Sequence, residues 1–389
     1  MKAFNFDEPT ERRGTGSYKW DSADADVIPL WVADMDFRTA PCIIEALSDR
    51  VRHGVFGYEK VPDAWYETLQ GWFARRHGWQ IRREEVLCTT GVVPAVSAVI
   101  KAFTRPGDGV ALMTPAYNCF FSSIRNNGCF AAETSLLMGD AGWTIDFAGL
   151  EKTLADPRVK VLLFCSPHNP VGRVWTADEI RRTAQIAHQA GVLFVCDEIH
   201  GEFVFGGNRY LPAAQVEGVD PLRTVILTSP TKTFNLAGLV GSYHIVYNSW
   251  WRDRMEKESS LSHYNMMNVL SMHALIGAYK PEGYEWTDEL CEVLTGNIDF
   301  ACDYIEKHFE GVTVSKPQGT YMLFVDCTDW CKAHGKTIED VEHACWDVGA
   351  AIQDGTMFFG PCHLRMNLAS PRSRIEEAFH RMDKYVFNA

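Results

Sequence analysis

Four short segments between residues 109 and 230, GVALMTP, VKVLLFCSP, VLFVCDE and TVILTSP, are apolar along their length instead of alternating, and each runs into a polar turn. A strand that alternates has one wet face; one that does not must be covered on both. Helical patterns accompany them. VPAVSAVIKAF precedes the first, and TADEIRRTAQIAHQAG, between the second and third, carries Thr176 as an N-cap, Glu179 as its capping-box partner and Gly191 just past its end. Strand and helix in alternation predict a mostly parallel α/β sheet, flanked by helices on both faces, over about residues 88–248. Binding groups in such a sheet gather at the carboxyl ends of the strands.

A chain of 389 residues exceeds what one core normally covers, so two to three domains of roughly 100–200 residues are expected. Beyond about residue 280 the texture changes: WTDELCEVLTGNIDFACDYIEKHF is a long amphipathic helix pattern, followed by VTVSKPQGTYMLFVDC, a helical stretch at 338–349 and HLRMNLASP. These predict a smaller α+β unit. The first 45 residues, rich in charge and Trp but poor in periodicity, could pack on either part. The expected division is a large unit over 46–280 and a small unit made of 1–45 and 281–389.

A formal net charge of −13 argues against nucleic acid or an anionic membrane as partner, because either needs a concentrated basic surface. Small molecules become the expected partners. No stretch reaches 18 apolar residues, and MKAFNFDEPTERRG lacks the pattern of a secretory signal, so a cytoplasmic location is expected. Twelve cysteines scattered singly, several inside apolar runs (Cys88, Cys165, Cys196), read as reduced core thiols. Cys327, Cys331, His334, His343 and Cys345 crowd one region, but it holds no C-x-x-C pair and reads as helix, so no metal site is expected.

Three polar groups follow successive strands: Asn169 after VLLFCSPH, Asp197 after VLFVC, and Lys232 after TVILTSPT. Singly, each suits a turn or a solvated surface; together at the mouths of parallel strands they form a candidate site. In TTGVVPAVSAVIKAF, Gly91 and Pro94 near a helix start leave free N–H groups at a positive dipole end, a seat for an anion to which Ser229 and Thr231 could add hydroxyls. An anion seat, a carboxylate, an amide and an amine match what pyridoxal 5′-phosphate requires: a lysine to bind its aldehyde, an acid to keep its ring nitrogen protonated, and donors for its phosphate. Tyr117, in the turn TPAYNCF, stands at another strand end and could stack on the ring.

SPHNPVGRVW, CDEIHGEFVF, SPTKTFNLAGL, RRGTGSYKW with PLWVADMDF, and LRMNLASP together resemble the fold-type I, class I/II aminotransferase superfamily of pyridoxal-phosphate enzymes. Within it they are similar to the carbon–sulfur β-lyase (MalY/PatB-type cystathionine β-lyase) branch, over nearly the whole chain. The resemblance implies that Lys232 carries the cofactor, Asp197 pairs with its ring nitrogen, Asn169 bonds the ring hydroxyl and Tyr117 stacks on the ring. His200 takes the place where aminotransferases carry a tyrosine. Gly91, Val92, Ser229 and Thr231 match the phosphate cup, and Arg365 in HLRMN matches the arginine that clamps the substrate carboxylate. Tyr58 matches a tyrosine that reaches the neighbouring subunit's phosphate, which implies a homodimer. One departure is Val240, where many aminotransferases place a phosphate-binding arginine; His200 is another.

The implied reaction is β-elimination from cystathionine, cysteine or an S-substituted cysteine to a thiol, pyruvate and ammonia, with Lys232 as the base at the α-carbon and Lys232 or a tyrosine, Tyr58 or Tyr117, as the proton source for sulfur. The alternatives are an aminotransferase, which shares the first proton abstraction, and a cofactor-holding regulatory protein. Asp34 and Asp36 in ADMDF could line the substrate mouth or orient the N-terminal segment. Arg12–Arg13 and Arg181–Arg182 read as surface or interface charges, and His168 as a turn residue.

Overall fold

The computed structural model describes residues 4–139 and 142–388. Its main sheet has seven strands: β1 Val86–Thr89, β2 Gly109–Thr114, β3 Phe130–Ser135, β4 Val159–Cys165, β5 Leu193–Asp197, β6 Thr224–Thr228 and β7 Ser242–Val246, in the spatial order β1-β7-β6-β5-β4-β2-β3. Neighbours from β6 to β3 are parallel. Every residue of β2, β5, β6 and β7 is buried, as non-alternating apolar strands require. β3, whose FAAETS sequence is half exposed, forms one edge.

β7 breaks the parallel pattern, pairing antiparallel with both β6 and β1. The connection from β6 to β7, residues 229–241, contains no long crossover helix, so the chain turns back at the edge where β6 ends. That whole connection, Lys232 included, therefore stays at the carboxyl edge of the sheet.

The helix Ala177–Gln189 starts as its sequence predicts: the Thr176 Oγ1 accepts from the Glu179 amide at 3.2 Å, and Glu179 Oε2 accepts from the Thr176 amide at 2.8 Å. Close packing fixes the helix pair Pro41–His53 and Val269–Ala278, where a Cβ on Gly277 would come within 2.9 Å of the Cys42 carbonyl oxygen. The long amphipathic pattern forms one helix, Pro281–His308, beside a second sheet of four strands: β8 Thr313–Val314, β9 Met322–Asp326, β10 Gln353–Asp354 and β11 His363–Asn367, in the order β8-β9-β11-β10.

The N-terminal segment joins this second sheet's neighbourhood through Ile28–Pro29, which pairs in parallel with Ala350–Ala351. Phe6 wedges between Phe37 and Trp286. The Arg12–Arg13 pair, expected as surface or interface charges, turns inward. Arg12 bonds Asp34 Oδ2 at 2.7 Å and Asp36 Oδ1 at 2.9 Å, while Arg13 donates to the carbonyls of Trp20, Ala23 and Val27. An aperiodic segment has few backbone partners of its own, and guanidinium donors supply them. Lys19 is fully buried against Asp36 Oδ2 at 2.9 Å, and Trp20 Nε1 donates to Asp36 Oδ1 at 2.8 Å. The outer arginines behave differently: Arg181 pairs with Asp178 within one helical turn, and Arg182 is exposed. Among the described residues no helix is long and apolar enough to cross a membrane.

Candidate active site

Four adjacent parallel strands deliver their last residues to one edge. After β2 comes Tyr117, after β4 Asn169, at the end of β5 Asp197, and after β6 Lys232. The predicted convergence is thus a property of the topology, since parallel neighbours end on the same side.

Lys232 sits in a single helical turn, Pro230–Thr233, started by Ser229, whose Oγ accepts from the Thr231 amide at 3.1 Å. Its Nζ donates to the Ala33 carbonyl at 2.7 Å. Burial, then the charge of Arg365, lowers the amine to about 8, against the pull of Asp34 and Asp197. A lysine so placed is substantially neutral near pH 8 and can act as a base. Asp197 accepts from the Ile199 amide at 3.1 Å, but burial outweighs that bond and the nearby Lys232, and lifts its carboxyl to about 7. Such an acid stays ionised when a cationic partner enters.

His200 is buried with no partner for Nδ1 among the described residues; burial, then Lys232 and Arg365, drive its pKa down to about 3, so the imidazole is neutral. Asn169 is buried with Oδ1 unpartnered. His168 serves the turn, as expected, through its backbone, whose amide donates to the Arg173 carbonyl at 2.8 Å, while its Nε2 lies 2.7 Å from the Pro115 carbonyl oxygen beyond another strand. Tyr117 begins the helix Asn118–Asn126, and its phenol, raised first by burial, interacts with Arg365 and Asp197.

Arg365, on β11, comes from the second sheet. Its Nη2 donates to the Trp31 carbonyl at 3.1 Å and to Gln353 Oε1 at 2.6 Å, and its guanidinium lies 4.2 Å from the Phe358 ring centroid. Nε and Nη1 are buried without partners among the described residues. Burial lowers this guanidinium to about 10. Two unsatisfied N–H groups on a buried cation are costly, and an incoming carboxylate would satisfy them.

The anion seat is built around the helix Val92–Phe103, with Gly91 as its N-cap in extended backbone and Pro94 in its first turn. The pairing of Thr89 with Ser242 brings this helix start beside the 229–241 connection. There Ser229 Oγ donates to the Gly241 carbonyl at 2.8 Å and lies 2.8 Å from Thr231 Oγ1. Asp34 divides its carboxylate: Oδ2 accepts from Arg12, and Oδ1 is buried without a hydrogen-bond donor, 3.8 Å from Lys19 Nζ. Tyr58 stands apart. It is 99% exposed, without a hydrogen-bond or ring partner among the described residues, beside a groove of about 670 Å³ lined by Phe56, Leu239 and Met266.

Two residues of the site escaped the sequence reading. Tyr321, fully buried, donates to the same Ala33 oxygen at 3.0 Å and feels the charges of Asp34 and Arg365. It precedes a strand of the antiparallel sheet, where strand-mouth reasoning does not apply. Thr90 has a buried, unpartnered Oγ1 directly before Gly91; its only signal was adjacency to the helix start.

The model of the family "Aminotransferase class I and II" matches residues 25–382. The cystathionine β-lyase PatB of Bacillus subtilis is 32% identical over 386 residues, covering 97% of this chain and 98% of that protein. Protein MalY of Escherichia coli is 34% identical, covering 96% of each. Among solved structures, cystalysin of Treponema denticola, which contains a pyridoxal 5′-phosphate cofactor, superposes with a TM-score of 0.93 at 33% identity and 98% coverage of both chains. The chain shares the fold of these pyridoxal-phosphate enzymes and belongs to the class I and II aminotransferase family.

Proposed function

We propose that this protein is a pyridoxal 5′-phosphate-dependent carbon–sulfur β-lyase acting on cystathionine, cysteine or S-substituted cysteines. The observation that carries the reading is a lysine with its pKa lowered to about 8, set between the buried acid Asp197 and a guanidinium with two free N–H groups. The relatives PatB and cystalysin add the reaction class and the cofactor.

The residues present fit that cofactor. Asn169 Oδ1, His200 Nδ1 and Thr90 Oγ1 are buried polar atoms with no partner among the described residues, and a polar, ring-bearing phosphate ester is the kind of group that would satisfy them. Lys232 would hold its aldehyde, Asp197 its ring nitrogen, Asn169 and His200 its ring substituents, and Tyr117 its face. Gly91, Val92, Ser229 and Thr231 would hold its phosphate. When bound, the cofactor supplies an electron sink that stabilises negative charge at the carbon bearing the amino group.

The chain supplies the rest. Arg365 binds the substrate carboxylate through Nε and Nη1, fixing the α-carbon within reach of Lys232. The neutral Lys232 amine takes the α-proton, and the departing sulfur receives a proton from the Lys232 ammonium or the Tyr117 hydroxyl. Breaking the Cβ–S bond leaves a thiol and an unsaturated amino acid that water converts to pyruvate and ammonia. With cystathionine as sole substrate, thiol and pyruvate should form in equal amounts without any added keto acid. Amine transfer that requires a keto acid, with no thiol, identifies an aminotransferase instead.

The domain division at 46–280 against 1–45 with 281–389 belongs to this reading, as does a homodimer in which Tyr58 completes the neighbouring site. The full exposure of Tyr58 beside an apolar groove supports the dimer. Mixing inactive Tyr58→Ala and Lys232→Ala proteins after partial unfolding should restore part of the activity, because a mixed dimer holds one intact site. A mixture as inert as its components rules this arrangement out. Cytoplasmic action also fits, since all twelve cysteines are free thiols; recovery of the enzyme in the secreted fraction contradicts it.

A further inference from the structure

From Leu30 to Met35 every backbone carbonyl accepts a hydrogen bond from a distant part of the chain. Leu30 O takes the Asn367 amide at 2.7 Å, Trp31 O takes Arg365, and Val32 O and Asp34 O both take Asn367 Nδ2 at 2.6 Å. Ala33 O takes Lys232 and Tyr321, and Met35 O takes Arg12 and Asn235. Asn235 also donates to Phe37 O at 3.1 Å and accepts from the Met35 amide at 3.0 Å. A loop held at consecutive carbonyls behaves as a rigid strap, unlike an ordinary surface connection.

The two amide side chains are placed by sequence beside the two reacting groups. Asn235 lies three residues after Lys232, in left-handed backbone at φ 56°, a conformation asparagine tolerates better than most residues. Asn367 lies two residues after Arg365 on the same strand and is 1% exposed. One amide thus ties the strap to the lysine connection and the other ties it to the arginine strand. The buried Lys19–Asp36 pair anchors the strap's far side, with Lys19 Nζ also 3.3 Å from Asp34 O. Elimination needs the substrate carboxylate and α-proton addressed together, and an error of 1 Å between base and clamp slows such a step a hundredfold.

We propose that Asn235 and Asn367 are positioning residues that, through the strap of residues 30–37, hold the Lys232 amine in register with Arg365, with the Ala33 carbonyl as the resting acceptor of the free amine. The two ends of this register come from the proposed reaction, but the test needs no turnover, so failure of one is separable from failure of the other.

In the cofactor-free full-length protein, Lys232 faces Arg365, Asp34, Asp197, His200, Cys119 and Tyr321. A carbonyl acceptor favours the ammonium over the amine, so loosening the strap should make Lys232 easier to deprotonate. The rate of Lys232 acylation by an amine-selective reagent, located by mass spectrometry and followed against pH, gives the midpoint. Asn235→Gly removes the amide without straining the left-handed backbone, and Asn367→Ser removes the reach to Val32 and Asp34 while keeping a polar group at the site. Both should lower the midpoint by about one pH unit, the size expected for one lost hydrogen bond to a charged group. Asn297→Ala is the control: its amide bonds the Leu368 and Ser370 carbonyls at 2.9 Å, just past Asn367 but off the strap. It should cost stability and leave the midpoint in place. If either strap variant keeps the wild-type midpoint, or Asn297→Ala moves it equally, the positioning role is wrong.

Discussion

Lys232→Ala should lower β-elimination by about a thousandfold or more, the effect of removing a positioned base together with the cofactor's covalent anchor. Stability should change little. Among the described residues the side chain makes one hydrogen bond, to Ala33, and its removal relieves a cation from a site where burial already opposes charge. Activity measured beside a thermal melt separates the outcomes: a folded, inert variant supports the assignment, and a folded, active one removes Lys232 from the chemistry. An added small primary amine should restore a fraction of the rate, since the cavity left at Nζ opens beside the same acids and guanidinium.

Asp197→Asn should reduce kcat by about two to three orders of magnitude, because a neutral amide cannot balance a protonated ring nitrogen in a buried setting, and an unbalanced buried charge costs about 3–5 kcal/mol. Its effect on the cofactor-free protein has the opposite sign. The Asp197 carboxyl is raised to about 7 in the folded chain, above its unfolded value, so the fold holds an extra proton between about pH 4 and 7 and loses stability as pH rises through that window. The asparagine variant lacks this slope. Without cofactor it should therefore melt higher than wild type above pH 7, and with cofactor it should gain less stability on binding. Equal melting of the two cofactor-free proteins at high pH contradicts a buried, ionised Asp197.

The sheet was readable because burial on both faces leaves a compositional trace: GVALMT and LFVCD carry no alternation and could only be inner strands. Asn169, Asp197 and Lys232 were readable for the related reason that a parallel ladder sends every strand end to one edge. Nothing similar marks the N-terminal segment. The carbonyls of its strap accept from side chains 198 to 335 positions away, besides Arg12, a pairing with no period and no local propensity, and Arg12 and Arg13 consequently passed for surface or interface charge. Tyr321 was hidden because the antiparallel second sheet contributes to the site by packing, not by strand polarity. Arg365 and Tyr58 came from family resemblance; no pattern in HLRMN or VFGYEK singles them out.

The strap also dictates when the site can come into being. Residues 30–37 leave the ribosome before the lysine connection, which follows some two hundred residues later, and Asn367 is made later still. A nascent chain can therefore complete most of its large sheet while the backbone acceptor of its reactive amine is still untied, and the opening segment locks down only once the strand that carries Arg365 and Asn367 has emerged.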